Sequence, residues 1–191
     1  MRHVIIWSCL WALIGGSVLS SNIFGADKIS PPGFENDLIR LRLMPRSPEQ
    51  MAGFFEARGF PIAMANNLSN YCFFTVVIKN KSNDVLWLDL SEWKFLSGQQ
   101  RLHRFPRSHW LTLWKKMDVP QASQATFRWT LLPEELDFRP DEGEGGNIIL
   151  EKTDKPFLLQ ARFAQGKNKN AGMVTATINH LRCSNSQEAD K

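Results

Sequence analysis

Cys72-Phe73-Phe74-Thr75-Val76-Val77-Ile78-Lys79 is the stretch on which the fold turns. Aromatic and β-branched residues dominate it, so it reads as a strand. Its apolar residues fall at both parities: Phe74, Val76 and Ile78 on one, Phe73 and Val77 on the other. A strand that is apolar on both faces has both faces covered, which makes it central in its sheet.

The flanking segments extend this pattern. Residues 80–84 form a polar turn, and residues 85–90 follow with Leu86, Leu88 and Leu90 on one face, so the pair reads as a hairpin. Residues 93–96 suggest a further short strand, stopped by Ser97-Gly98. Upstream, residues 38–43 alternate, with Ile39, Leu41 and Leu43 opposite Arg40 and Arg42, as in a half-buried strand. Between these strands, residues 47–68 break the alternation. Ser47 is an N-cap, Pro48 suits the first helical position and Gln50 completes a capping box. Gly59 stops that helix, and Pro61 opens a second through Leu68, giving a helical hairpin.

Downstream, Ser108 begins a helical stretch with Trp110, Leu113, Trp114 and Met117 at helical spacing, and Pro120 ends it. Residues 124–132 return to alternation, which predicts a strand with Phe127, Trp129 and Leu131 inward. Residues 133–147 read as an acidic loop rich in Pro and Gly. Residues 147–151, 157–164 and 173–182 are the last strands. Val174, Ala176 and Ile178 share a parity that Leu181 and Cys183 break, which predicts a bulge near Asn179-His180. With no βαβ rhythm, the expected fold is an immunoglobulin-like antiparallel β-sandwich of about seven strands with two short helical insertions. A small closed barrel is the alternative. The immunoglobulin likeness rests on strand number and spacing, because the Cys–Trp–Cys pattern is not matched.

Residues 1–25 read as a signal peptide. Arg2 and His3 precede an apolar run from Val4 to Leu19, and small residues follow up to Gly25 and Ala26. Residues 4–24 are also long enough for an uncleaved anchor, which needs roughly 20 apolar residues. Either way, residues 38–183 are expected outside the cytoplasm, in the periplasm or secreted. Residues 26–37, with Pro31-Pro32-Gly33, read as a linker and residues 184–191 as a disordered tail. Once the signal is removed only Cys72 and Cys183 remain, and in an oxidising compartment they pair most simply as one disulfide.

Residues 93–117 hold Lys94, Arg101, Arg104, Arg107, Lys115 and Lys116 with His103 and His109, and no carboxylate. This reads either as a docking patch for an acidic partner, an anionic glycan or membrane head groups, or as a face paired with the chain's own acidic loop, which carries Glu134, Glu135, Asp137, Asp141, Glu142 and Glu144. Trp93 and Trp110 are the tryptophans expected at the surface beside it, whereas Trp87, Trp114 and Trp129 are expected in the core. Phe54 and Phe55 either cap the sandwich core or offer an apolar contact. The candidate partner surface is therefore Arg101, His103, Arg104, Arg107, Trp93, Trp110, Phe54 and Phe55.

No catalytic signature is present: GxSxG, HExxH, a Walker loop and a dinucleotide turn are all missing. Ser108, His109 and Asp89 have no spacing that favours a triad. Residues 141–147 are oxygen-rich but lack the spacing of a calcium loop. His103, His109, His180 and Met117 are too scattered for a copper site. No cofactor is expected, and a mature chain of modest charge in an exported setting argues against nucleic acid. The expectation is an exported, non-enzymatic domain that binds an envelope protein as an accessory or assembly factor. The alternative is a domain binding a small ligand, either a glycan through Trp93 and Trp110 or a metal. A hydrolase without a familiar motif comes last.

Overall fold

The structure is a computed structural model that describes residues 31–184. In chain order the strands are β1 (Gly33–Glu35), β2 (Ile39–Arg46), β3 (Tyr71–Asn80), β4 (Leu86–Asp89), β5 (Lys94–Ser97), β6 (Gln100–Arg101), β7 (Glu135–Phe138), β8 (Gly143–Glu151), β9 (Phe157–Gln165) and β10 (Gly172–Leu181). The helices are α1 (Pro48–Glu56), α2 (Ile62–Leu68), α3 (Arg107–Lys116) and α4 (Gln121–Thr130).

β3 is central, as its two apolar faces require. It pairs antiparallel with β2 on one side and β8 on the other, and β1 extends β2, so the first sheet runs β1-β2-β3-β8. The second sheet is built on β9, which pairs β10 along one edge. Its other edge is shared: Leu86–Leu88 of β4 face Phe163–Gln165, and Lys94–Leu96 of β5 face Leu158–Gln160. β4 and β5 are thus one strand path broken by a 3-10 turn at Leu90–Glu92, which the Asp89 carboxylate caps. β7 lies outside β4 and β6 outside β5. With β2, β3 and β8 in one sheet and β10, β9, β4 and β7 in the other, the connectivity is immunoglobulin-like.

Two cores follow from the two faces of β3. Cys72, Phe74, Val76 and Ile78 point between the sheets, against Leu88, Phe95, Leu159, Ala161 and Phe163. Phe73 points the other way, with Ile149 of β8, into a second core made by the helices: Phe55, Met64, Trp110, Trp114 and Phe127. Each fully buried large side chain contributes roughly 1.5–3 kcal/mol. The helices therefore cover one end of the outer face of the first sheet. The capping box of α1 is formed: Gln50 N–H donates to Ser47 Oγ and Ser47 N–H to Gln50 Oε1.

Cys72 and Cys183 form a disulfide with Cα atoms 5.3 Å apart. It joins β3 of the first sheet to the end of β10 in the second. The bulge near Asn179-His180 is also present: the β9–β10 register breaks between Ile178 and Leu181, and His180 has φ 58°.

Four expectations are corrected. β3 and β4 are not a hairpin but belong to different sheets. Asn80, fully buried, organises the crossing: its Nδ2 donates to the Asp84 and Phe138 carbonyls, and its Oδ1 accepts from Ser82. Residues 124–132 are not a strand, because α4 runs there after Pro120. Phe127 and Leu131 are buried one turn apart, so helical spacing competes with alternation over the same residues. Part of the expected linker is strand: β1 pairs Gly33–Glu35 with Arg42–Arg40. The expected loop at residues 133–147 contains β7 and the start of β8. The signal or anchor reading of residues 1–25 lies outside the described residues, as do residues 185–191 of the expected tail. Among the described residues no helix is long and apolar enough to cross a membrane.

β1 is held by Glu35, which accepts from Arg40, Arg42 and Lys81 at 2.8, 2.7 and 2.9 Å. Hydrogen bonds from Arg40 and then Lys81 hold its carboxyl at about 2, down from 4.5. The folded chain thus binds this proton less tightly than the unfolded one. The stability Glu35 adds is complete above pH 4.5 and lost as pH falls towards about 2. Glu35→Gln is expected to flatten the stability–pH curve in that interval, as read from urea melts at successive pH values. Replacing Cys72 and Cys183 together with Ala is expected to cost about 4–5 kcal/mol, the chain-entropy value for so long a loop, measured from denaturant midpoints.

Candidate functional site

The basic run does not form one patch. Arg104 donates two guanidinium nitrogens to Glu134, at 3.2 and 2.7 Å. The same carboxylate accepts the Arg107 backbone N–H at 2.8 Å, fastening the first residue of α3. The Arg107 guanidinium donates to the Leu131 carbonyl, just past α4, and burial lowers its pKa. Arg104 and Arg107 therefore clamp the helical layer to the segment before β7.

The aromatic members are corrected too. Trp93 is only 2% exposed and packs edge-on to Phe163. Trp110 is 1% exposed and lies among Tyr71, Phe105, Trp114 and Phe127. Phe55 is buried between Phe60 and Phe127. None of the three is available to a partner on a rigid surface. Trp114 is in the core as expected, and Trp87 is half-buried, its Nε1–H donating to the Gly166 carbonyl. Trp129, expected inward, is 77% exposed. Phe54 is half-buried, with the Arg58 guanidinium 3.6 Å from its ring centroid.

Two concavities stand out. The larger, about 640 Å³, opens on the outer face of the first sheet beside the helical layer. Met51 and Phe54 of α1 and Trp129 of α4 supply apolar walls, and Arg46, Thr75, Gly145 and Asn147 line its sheet side. These polar groups are chained: Arg46 Nε donates to Thr75 Oγ1, which donates to Asn147 Oδ1, both at 2.9 Å. Arg46 has no ion pair among the described residues. Gly146 beneath is forced, since a Cβ there would lie 2.5 Å from the Leu132 nitrogen. The smaller hollow, about 320 Å³, sits at the β5–β6 corner and brings together Trp93, Arg101, His103 and Arg104 with Leu90, Phe95 and Leu102. So four of the residues singled out from sequence do meet, whereas Arg46, Thr75, Trp129 and Asn147 of the cleft were missed. Helical spacing over residues 121–131 was the available signal for Trp129: it buries Phe127 and Leu131 and turns Trp129 out.

Other chemistry is accounted for locally. The Asp89 carboxylate accepts from Ser91 N–H and Oγ–H, so it holds a turn instead of orienting His109. His103 meets the Phe105 ring edge-on and His109 meets it at a tilt, with ring centroids 4.6 and 4.7 Å apart. Burial, and secondarily the His103 charge, lowers the pKa of His109. His180 lies apart, at the β10 bulge. Among the described residues no three His, Cys, Asp or Glu side chains are grouped to hold a metal. In the acidic segment, Lys79 donates to the Asp141 carbonyl and pairs with its carboxylate.

No protein-family model matches the chain, and no curated protein does. Among solved structures, the chain is similar to YcdA of Bacillus subtilis, described as a "putative lipoprotein". The identity is 13%, the TM-score 0.43, and the match covers 79% of this chain and 39% of that one. The chain thus spans well under half the length of that protein.

Glu134 gathers three donors from α3 and the turn before it. Glu134→Gln keeps the shape and removes the charge. It is expected to destabilise the domain by about 1–3 kcal/mol, measured by chemical denaturation. Amide hydrogen exchange should accelerate first in residues 104–116.

Proposed function

We propose that this is an exported, non-enzymatic domain that binds a protein partner of the cell envelope, as an accessory or assembly factor. The proposed contact is the cleft beside the helical layer. The observation that carries the reading is Trp129, a large aromatic left 77% exposed on the rim of a cleft with apolar walls. Tryptophan is a frequent energetic centre of interfaces, and here it adjoins the apolar side chains of Met51 and Phe54.

The cleft's chemistry describes the partner. Met51, Phe54 and Trp129 suit an apolar side chain, and Arg46 suits a carboxylate next to it. Along the open sheet face beyond Arg46, Val77 is 41% exposed beside Arg42, whose guanidinium shares the Glu35 carboxylate with Arg40 and Lys81. An extended segment of mixed acidic and apolar character fits this face. The order of residues 1–26 and the Cys72–Cys183 bond support export, since disulfides persist in oxidising compartments.

A photocrosslinking residue at Trp129 tests the reading in the native host. The expected product is one discrete protein adduct that is lost with Arg46→Glu and not formed from Thr175 on β10. With that partner purified, Trp129→Ala is expected to weaken binding by about 2 kcal/mol, roughly 30-fold, while leaving the melting temperature unchanged. The absence of any adduct, or one indifferent to Arg46 and Trp129, would overturn the assignment.

A further inference from the structure

β8 is an edge strand of the first sheet, and its outward side is covered along only part of its length. The Asn147 and Ile149 carbonyls accept from the Leu132 and Phe105 N–H groups at 3.0 and 2.9 Å, and the Glu151 N–H donates to the His103 carbonyl at 2.9 Å. Main chain from residues 103–105 and 131–132 thus completes this edge from Asn147 to Glu151. Alternate residues of a strand face the same neighbour, so the outward row of Glu151, Ile149 and Asn147 continues to Gly145 and Gly143. There no further strand pairs with β8 among the described residues, and Gly143, Glu144 and Gly145 are all exposed. The outward Gly145 N–H donates instead to Glu144 Oε1 at 2.9 Å. That carboxylate stands where the carbonyl of an added strand would.

The glycines of this edge point the same way. Glycine weakens a strand interior, and one that the fold does not demand often marks the close approach of another backbone. Gly143 is demanded by the Ile78 carbonyl, 2.8 Å from where a Cβ would lie, and Gly146 by Leu132. Gly145 is not demanded. A Cβ there would lie 3.5 Å from the Val76 carbonyl, an ordinary contact, and its backbone is outside the left-handed region. Gly145 has the parity of Asn147 and, like it, lines the cleft with Trp129. The missing side chain leaves room on the cleft floor beside the open edge.

We propose that the partner docks by adding a strand to this edge. An extended segment of the partner accepts from the Gly145 N–H in place of Glu144, donates to the Gly143 and Gly145 carbonyls, and sets an apolar side chain over Gly145 against Trp129. The occupant is main chain because main chain is what the edge offers, and the protein's own extended segments already complete the rest of it. Glu144 is exposed, so its carboxylate returns to water when displaced. This deepens the cleft reading and rests on it for the choice of a protein partner.

The probe is a phage-displayed library of random linear peptides, selected on the protein. The enriched peptide is expected to slow amide hydrogen exchange at Gly143 and Gly145 at least about tenfold, read by NMR on ¹⁵N-labelled protein. Methylating its backbone nitrogens one at a time is expected to weaken binding about tenfold at alternate residues, since only those face β8. Gly145→Val is expected to keep or raise the melting temperature and to weaken binding at least about tenfold. The exchange and methylation readouts use the unaltered protein and stand if that variant does not fold. Failure to enrich any peptide overturns the proposal. A peptide that is lost with Trp129→Ala but leaves both glycine amides exchanging as before overturns the added strand and leaves the cleft reading standing. Protection of both glycines by a peptide indifferent to Trp129→Ala upholds the added strand and overturns the cleft contact.

Discussion

Burial on both faces of β3 at its Cys72–Phe74 end is the constraint on which the rest of this molecule depends. Phe73 and Phe74 are neighbours in sequence and point into different cores. Phe74 needs a second sheet, which β9 and its partners provide. Phe73, with Ile149 beside it on β8, needs a cover on the opposite side, and that is the work of α1 to α4. A sandwich with one outer face wet would leave these side chains in water at a cost of roughly 1.5–3 kcal/mol each. The disulfide acts at the same place, since Cys72 immediately precedes the pair.

The cleft is the edge of that cover. Along the outer face of β3 the residues run Phe73, Thr75, Val77. Helices sit over the first, and the row containing Thr75 and Asn147 is where the cover stops. Helix walls and a sheet floor meet there at an open angle. Because the floor is polar and the walls apolar, a concavity with mixed chemistry results from the way the second core ends.

Electrostatics are spent mostly inside the fold. Glu35 gathers Arg40, Arg42 and Lys81, and Glu134 gathers Arg104 and the backbone of Arg107. These carboxylates lie far from some of their cations in sequence. A run of positive residues therefore looks like a free patch until the chain brings the acids to it. Arg46 in the cleft and Arg101 in the hollow are the guanidinium groups in those two concavities without an ion pair among the described residues.

Local pattern in the chain is enough to read the strands with a clear period, the α1 capping box, the β10 bulge and the Cys72–Cys183 pair. These are local patterns, or in the last case an arithmetic of two cysteines. Four members of the candidate surface were legible as a group because they lie within eleven positions of one another, from Trp93 to Arg104. Tertiary structure decided the partition of β3 and β4 between sheets, because a polar turn reads alike whether it closes a hairpin or crosses a sandwich. It decided α4 over a strand, since Phe127 and Leu131 satisfy either period and only a waiting apolar surface selects the helix. It also decided which tryptophans are wet. Trp93 and Trp110 sit among charges in sequence and among aromatics in space, and burial is a property of what packs against a residue, which its chain neighbours do not reveal.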